Sequence, residues 1–444
     1  MRTTTDAAMP PKLPAADLAD LLSVMTRVVL PTFGKGVILR RPSMERLAER
    51  FALDSREVKT MQALRRKHGS LPLRLPLPGR PIILLLDPAD VAAVLTHTPD
   101  PFETNTWEKR AALGHFEPGN VLISDAPRRA TLRPLHEAAL ATGEPVHPCG
   151  EAFRRAVEEE LGPILLSGAW ELDWTAFSQG WSLLVRRLVL GRRAREDQAL
   201  TECLNELRRR ANWAFFRRQS KGMRQRLHDV IHRYLADPDP QSLAARMPAD
   251  PAIAPESQIA QWLFAFDPAG MATFRTLSLL AAHPDARNRC LAEADGGALF
   301  RPFARQCLME SLRLWPTTPA ILRETRRPVA WRGGSLPADS LVLIFTPFFH
   351  RDEETFADAH RFAPEIWEGA ADHALPLAGL VPFSAGPARC PAHDLVPMIA
   401  GFALGLVLSR KRLVATAPGL APGAMPGTLD HYRIRLRLED HPRS

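Results

Sequence analysis

The chain has 444 residues, 45% of them hydrophobic and 24% charged, and a formal net charge of +8. That composition belongs to a soluble globular protein with a large core, and it excludes a disordered, collagen-like or membrane-spanning chain. Its five cysteines, Cys149, Cys203, Cys290, Cys307 and Cys390, are scattered with no CxxC spacing, which argues against a disulfide framework or a zinc site. With no signal-peptide pattern at the polar start, a reducing, cytoplasmic setting is expected. The positive charge is mostly arginine, with clusters at Arg208-Arg209-Arg210, Arg217-Arg218 and Arg410-Lys411-Arg412. No nucleic-acid motif accompanies them; they read as solvated helix faces or as a docking face for an acidic protein.

Residues 1–20 are expected to be a loose arm. Apolar runs at 71–77 and 82–86 flank Pro78-Gly79 and predict a hairpin. A helix over 90–96 and a long loop over 100–127 come next. From there to about residue 310 the pattern is helical, at 151–161, 174–191, 197–236 and 257–282. Short strands return at 329–331 and 341–345, and alternation over 432–438 predicts a closing strand. The expected fold is mainly α with minor β sheets, and no low-complexity linker divides it, so 1–444 is expected to form one domain.

Four stretches carry candidate chemistry. Asp125 to Arg133 starts a helix with Arg129 and Arg133 one turn apart, so that two guanidinium groups could hold carboxylates. The alternative is an exposed basic helix. The helix over 257–282 has an apolar middle, interrupted by Asp267-Pro268-Ala269-Gly270. Pro268 removes a hydrogen bond and predicts a kink, and an acid there is expensive unless used. Two helices joined by a solvated turn would also fit. Glu310-Ser311-Leu312-Arg313 places an acid and a base on one helix face among apolar neighbours, as a structural clamp. As a mere surface pair it would be worth little.

The fourth stretch runs from Phe383 to Ala392. Gly386 and Pro387 break it into a loop, and a helix is expected to start near Pro391. Cys390 would then precede a helix N-terminus, which favours thiolate over thiol, and a haem iron takes a thiolate as axial ligand. Phe383 would form an apolar wall, and Gly386 would let the backbone pass close to a flat macrocycle. A free Cys can equally be a small buried hydrophobe.

In this order along the chain, Glu310-x-x-Arg313 and then Phe383-x-x-Gly386-x-x-x-Cys390 resemble the cytochrome P-450 superfamily of haem-thiolate monooxygenases, of the soluble bacterial type. The resemblance implies that fold, with haem b between a distal kinked helix and a proximal Cys loop. It implies Cys390 as the iron ligand, Arg129, Arg133 and Arg323 as contacts to the haem carboxylates, and Asp267 as the acid for oxygen activation. His350-Arg351-Asp352, Phe356 and Phe362-Ala363-Pro364 resemble the segment leading to the Cys loop.

Several positions depart from the family pattern. Ala388 replaces the usual base two before the Cys, with Arg389 shifted by one, and Ala392 replaces a Gly. Ile366 stands where an Arg commonly completes the Glu310 and Arg313 network, leaving Arg361 as a possible substitute. Pro268 stands in place of the usual Thr.

The resemblance implies oxidation of a lipophilic small molecule with O2 and two electrons from a ferredoxin-type donor. Phe264, Ala265, Phe266, Ala320 and Ile321 are the candidate pocket residues. Alternatives are peroxide-driven oxidation or isomerisation on the same haem, or a non-catalytic haem-binding sensor or scaffold.

Overall fold

The computed structural model describes residues 13–166, 170–369 and 379–441. Of the expected loose arm, residues 1–12 lie outside the described residues. The rest of that arm is packed: Leu13 and Ala16 are buried, and Ala16 and Arg74 are joined by a 2.9 Å backbone hydrogen bond.

The first third alternates short helices with strands. In order come α1 (Leu18–Val24), α2 (Leu30–Lys35), α3 (Pro42–Arg50), α4 (Leu53–His68), β1 (Leu73–Leu75), β2 (Ile82–Leu84), α5 (Pro88–Thr96), β3 (Phe102–Glu103) and α6 (Trp107–Leu113). The helical body holds α7 (Ala126–Ala139), α8 (Gly150–Leu166), β4 (Glu171–Asp173), α9 (Trp174–Leu190), α10 (Gln198–Ala211), α11 (Lys221–Leu235), α12 (Pro255–Ala282), α13 (Pro284–Asp295) and α14 (Pro302–Leu314). Last are β5 (Ala320–Thr325), β6 (Val329–Trp331), β7 (Gly334–Leu336), β8 (Leu341–Phe345), α15 (Thr346–His350), α16 (Leu395–Arg410), β9 (Arg412–Ala417) and β10 (Arg435–Glu439).

The expected hairpin exists as β1 and β2, paired antiparallel. It extends into a five-stranded sheet of order β1-β2-β8-β5-β3, in which only β2 and β8 run parallel. The alternating strand near the end is β10, paired between β4 and β9. Two further expectations fail. The helix expected over 197–236 is two helices, because α10 ends at Ala211 and α11 starts at Lys221. The loop expected over 100–127 contains α6, which Thr106 caps through its side chain.

Two helices organise the core. α16 is apolar all round and buried along nearly its whole length, as a helix surrounded by protein should be. α12 crosses the same core, which runs from Leu113 to Leu438 and includes α8, α9 and α14. A second core covers the five-stranded sheet, from Leu73 to Val381. The Cys loop runs from the second core toward α16.

Candidate haem-thiolate site

The Cys loop folds back on itself. The Cys390 N–H donates to the Phe383 carbonyl at 2.9 Å, and the Ser384 N–H to that of Val381 at 2.9 Å. Gly386 has φ +64, and a Cβ there would meet the Leu95 carbonyl oxygen at 2.1 Å. Its glycine is therefore demanded by the end of α5, a requirement the sequence did not show. The helix after the loop starts at Leu395, not near Pro391. Residues 391–394 form a turn in which Thr142 donates to the Pro391 carbonyl at 2.7 Å and Arg305 pairs with Asp394 at 2.9 Å.

Cys390 thus lacks the helix end that would favour its thiolate. Burial pushes its thiol upward and outweighs the Ala392 N–H and the charges of Arg133 and Arg389. A metal cation is what would make this sulfur a thiolate.

The cationic residues separate into two groups. Arg129 on α7 and Arg323 on β5 are buried and have no ion-pair partner among the described residues. Arg323 donates to Ser384 Oγ in the Cys loop at 3.3 Å and to Thr98 Oγ1 at 3.1 Å. Burial, then Arg133, holds Arg129 down at about 10; burial, then Arg129, holds Arg323 down at about 9. Two buried guanidinium groups without an ion pair among the described residues, with only Glu137, already taken by Arg133, acting on Arg129, favour an anion between them. The carboxylates of a haem meet that requirement, so the residues present fit the group.

Arg133 lies beside Arg129 as expected, close enough to depress it, but it is already paired with Glu137 on its own helix at 2.6 Å. Arg389 has Asp394, Arg305 and Cys390 as its charged neighbours, not Arg129 or Arg323.

α12 is one continuous helix of 28 residues with Pro268 inside it, so the expected interruption is absent. Trp181 of α9 donates its indole N–H to the Phe266 carbonyl at 2.9 Å. Gly270 allows that approach, since a Cβ there would lie 2.7 Å from the indole nitrogen. Asp267 is not an uncompensated buried acid. Its side chain is 38% exposed and pairs with Arg208 at 2.6 Å, and the Arg208 guanidinium also lies 5.1 Å from the Phe264 ring.

The candidate pocket residues do not form one wall. Phe264 packs edge-on against Phe116 at 5.4 Å, and Ala265 beside it is half-buried. Phe266 is buried in the main core. Ala320 and Ile321 are successive on β5 and point to opposite faces, with Ile321 in the second core. Beside Pro319 lies a cavity of about 330 Å³, lined with charged residues that include Lys35, Arg40, Asp54, Arg275 and Arg351.

The clamp is fully buried. Arg313 makes a bidentate pair with Glu310 at 2.6 and 2.8 Å, and both side chains are 0% exposed. The remaining carboxylate capacity goes to the Ala363 N–H at 2.9 Å and the Trp367 indole N–H at 3.0 Å. Trp367 thus completes the network that the sequence left to Arg361. The Arg361 side chain is exposed and reaches Asp358, and only its carbonyl accepts from Arg313. Ile366 packs with Met309 and Leu380.

Sequence reasoning missed Arg208, read as part of a solvated run, and Trp367, which lies just past Phe362-Ala363-Pro364. It also missed Lys109, inside a stretch read as loop. No spacing marks any of the three, since each is set by distant segments of chain.

The family model for cytochrome P-450 matches residues 265–416, from the middle of α12 to β9. The cyclooctat-9-en-7-ol 5-monooxygenase of Streptomyces melanosporofaciens is 30% identical over 145 residues, 30% of this chain and 32% of that protein. Cytochrome P-450 4g15 of Drosophila melanogaster is 30% identical over 31% of this chain and 26% of its own length. The chain thus spans well under half of the curated relatives it matches. Among solved structures, a retinoic acid-bound cyanobacterial CYP120A1 superposes with TM-score 0.68 at 17% identity, over 86% of this chain and 94% of that one. Family model and relatives place residues 265–416 in the cytochrome P-450 superfamily, and the chain as a whole shares the fold of solved cytochrome P-450 structures.

Proposed function

We propose that the chain is a haem-thiolate monooxygenase, which inserts one oxygen atom from O2 into a lipophilic small molecule using two electrons from a ferredoxin-type donor. The observation that carries this reading is the pairing of a loop cysteine with buried arginines that have no ion pair among the described residues, one of them bonded to the same loop. Haem b bound there supplies oxygen activation at its iron. Cys390 would ligate that iron, and Arg129 and Arg323 would hold the carboxylates, with Arg133 and Arg389 close to the sulfur. Phe383, half-buried against the core, and Gly386 would shape the proximal wall. The described residues would work as one domain, which the Cys loop supports, with Phe383 packed on the first core and Ala385 on the second.

On the distal side Asp267 is half-exposed and able to exchange protons with water, and Arg208 keeps its carboxylate oriented. Pro268 has neither hydroxyl nor N–H and can pass no proton, so a substrate hydroxyl or a water would stand where the family has Thr. Phe264 and Ala265 would face the substrate. The two relatives named for their ligands, a cyclooctatenol monooxygenase and a retinoic acid complex, support a lipophilic substrate. An acidic donor would meet Arg128, which is exposed, and Arg389. Lys411 and Arg412 are already paired with Asp440 and Glu439.

Pro268 also favours a second reading, in which peroxide replaces O2 and the donor. Product formed with a ferredoxin, its reductase and NADPH, compared with product formed from hydrogen peroxide, separates them. Product from peroxide alone would establish the second reading in place of the first.

A further inference from the structure

Lys109 has no role in the site as described above, yet it lies beside the site's cations. It stands on α6, and its Nζ donates to the carbonyls of Thr104 at 3.0 Å and Leu322 at 3.1 Å. The Leu322 carbonyl also accepts from Arg323 Nη1 at 3.0 Å. Ammonium and guanidinium therefore share one acceptor and sit side by side. Burial, then Arg323 and Arg129, hold the Lys109 ammonium well below its ordinary range against the opposing pull of Glu108, which is itself paired with Arg80. Like charges gathered in this way are costly unless an anion joins them.

Each cation has donors to spare. An ammonium has three N–H groups and Lys109 uses two of them; a guanidinium has five, and Arg129 makes a single long contact, to the Val121 carbonyl at 3.5 Å. Thr104 adds a second sign. Its hydroxyl is buried and has no hydrogen-bond partner among the described residues. Elsewhere around the site the cations are matched with acids, Arg133 with Glu137, Arg208 with Asp267 and Arg305 with Asp394.

We propose that Lys109, Arg129 and Arg323, with the Thr104 hydroxyl, form a carboxylate cradle in which Lys109 is the cation contributed by α6. The proposal rests on the haem reading, because two of the carboxylates available to the cradle are those of haem. The third cation leaves capacity for one more, which an acidic lipophilic substrate would bring. Carboxylate binding would favour the charged form of Lys109, so the two events are linked.

The test uses the holoprotein as wild type, Lys109→Met and Lys109→Arg, in two arms. The first follows haem loss to excess apomyoglobin. The second titrates dodecanoic acid and methyl dodecanoate, read by the haem absorption shift and by tryptophan fluorescence. If the cradle holds the haem carboxylates, Lys109→Met loses haem at least about tenfold faster, as expected for a charge-assisted hydrogen bond. If it holds a substrate carboxylate, wild type prefers acid to ester and Lys109→Met loses that preference. In either case Lys109→Arg stays near wild type. Unchanged haem loss together with an unchanged acid-to-ester ratio in Lys109→Met overturns the cradle, and so does a failure of Lys109→Arg to rescue. The carbon monoxide spectrum of the wild type reports on the haem reading separately, and the fluorescence titration needs no iron.

Discussion

His350 accepts the Val381 backbone N–H on its Nε2 at 2.9 Å, while its own carbonyl accepts from Arg313 Nη1 at 2.8 Å. The buried clamp and the Cys loop are thereby joined. From Arg313 the path runs through His350 to Val381, whose carbonyl holds Ser384. Both Glu310 and Arg313 are 0% exposed, so the loop that carries Cys390 is tied to the best-protected ion pair of the site. A fixed loop is what a ligand to a metal requires.

Replacing one member of the clamp would leave the other charge buried and unpaired. Glu310→Gln or Arg313→Met should cost about 3–5 kcal/mol, because the desolvation of the remaining ion is no longer compensated. Trp367→Phe removes one donor from Glu310 and should cost about 1–2 kcal/mol. Urea unfolding of the three variants checks the order. A Trp367→Phe variant as damaged as Arg313→Met would contradict it.

Cys390→Ala should abolish the red-shifted carbon monoxide band of the reduced protein that marks a thiolate ligand. The same change at Cys149, Cys203, Cys290 or Cys307 should keep it. Cys290 and Cys307 lie 3.8 Å apart inside the core, far along the chain from the loop. Retention of the band in Cys390→Ala would remove the assignment.

Asp267 and Arg208 should behave as a unit. Because the carboxylate is more than a third exposed, Asp267→Asn should cost only about 1 kcal/mol of stability, while its effect on turnover should be larger. Product formed per electron consumed should fall in Asp267→Asn and in Arg208→Gln, and rise in Pro268→Thr. Equal yields in all four proteins would show that neither the pair nor the proline governs proton supply.

Stability should fall in acid through two buried histidines. Burial holds His136 down at about 4 and His350 at about 3, so both stay neutral in the fold at pH values where the unfolded chain binds protons. Their contribution is complete above the unfolded value of about 6.5 and is lost as pH falls toward the folded values. For His136 the loss amounts to about 3 kcal/mol between about pH 6.5 and 4. His136→Gln should therefore show a shallower decline than wild type in denaturant unfolding over that range. An equally steep decline would place the proton uptake elsewhere.

Much of this protein was legible along the chain itself. The Glu310-x-x-Arg313 spacing and the Gly386 to Cys390 spacing are local, because helix periodicity and loop geometry act over a few residues. The apolar middle of α12 likewise announced a buried helix. Local reasoning went astray where distant segments compete. Gly386 answers to Leu95, Asp267 to Arg208, and Glu310 to Trp367, and none of these pairings leaves a mark in spacing. The state of Cys390 differs from expectation for a related reason. A helix N-terminus can be guessed from a proline, but whether burial outweighs it depends on everything packed around the sulfur. Sequence by itself determined which residue types stood in which order. Only the tertiary structure decided which charges meet, since ion pairing and desolvation are properties of neighbours in space.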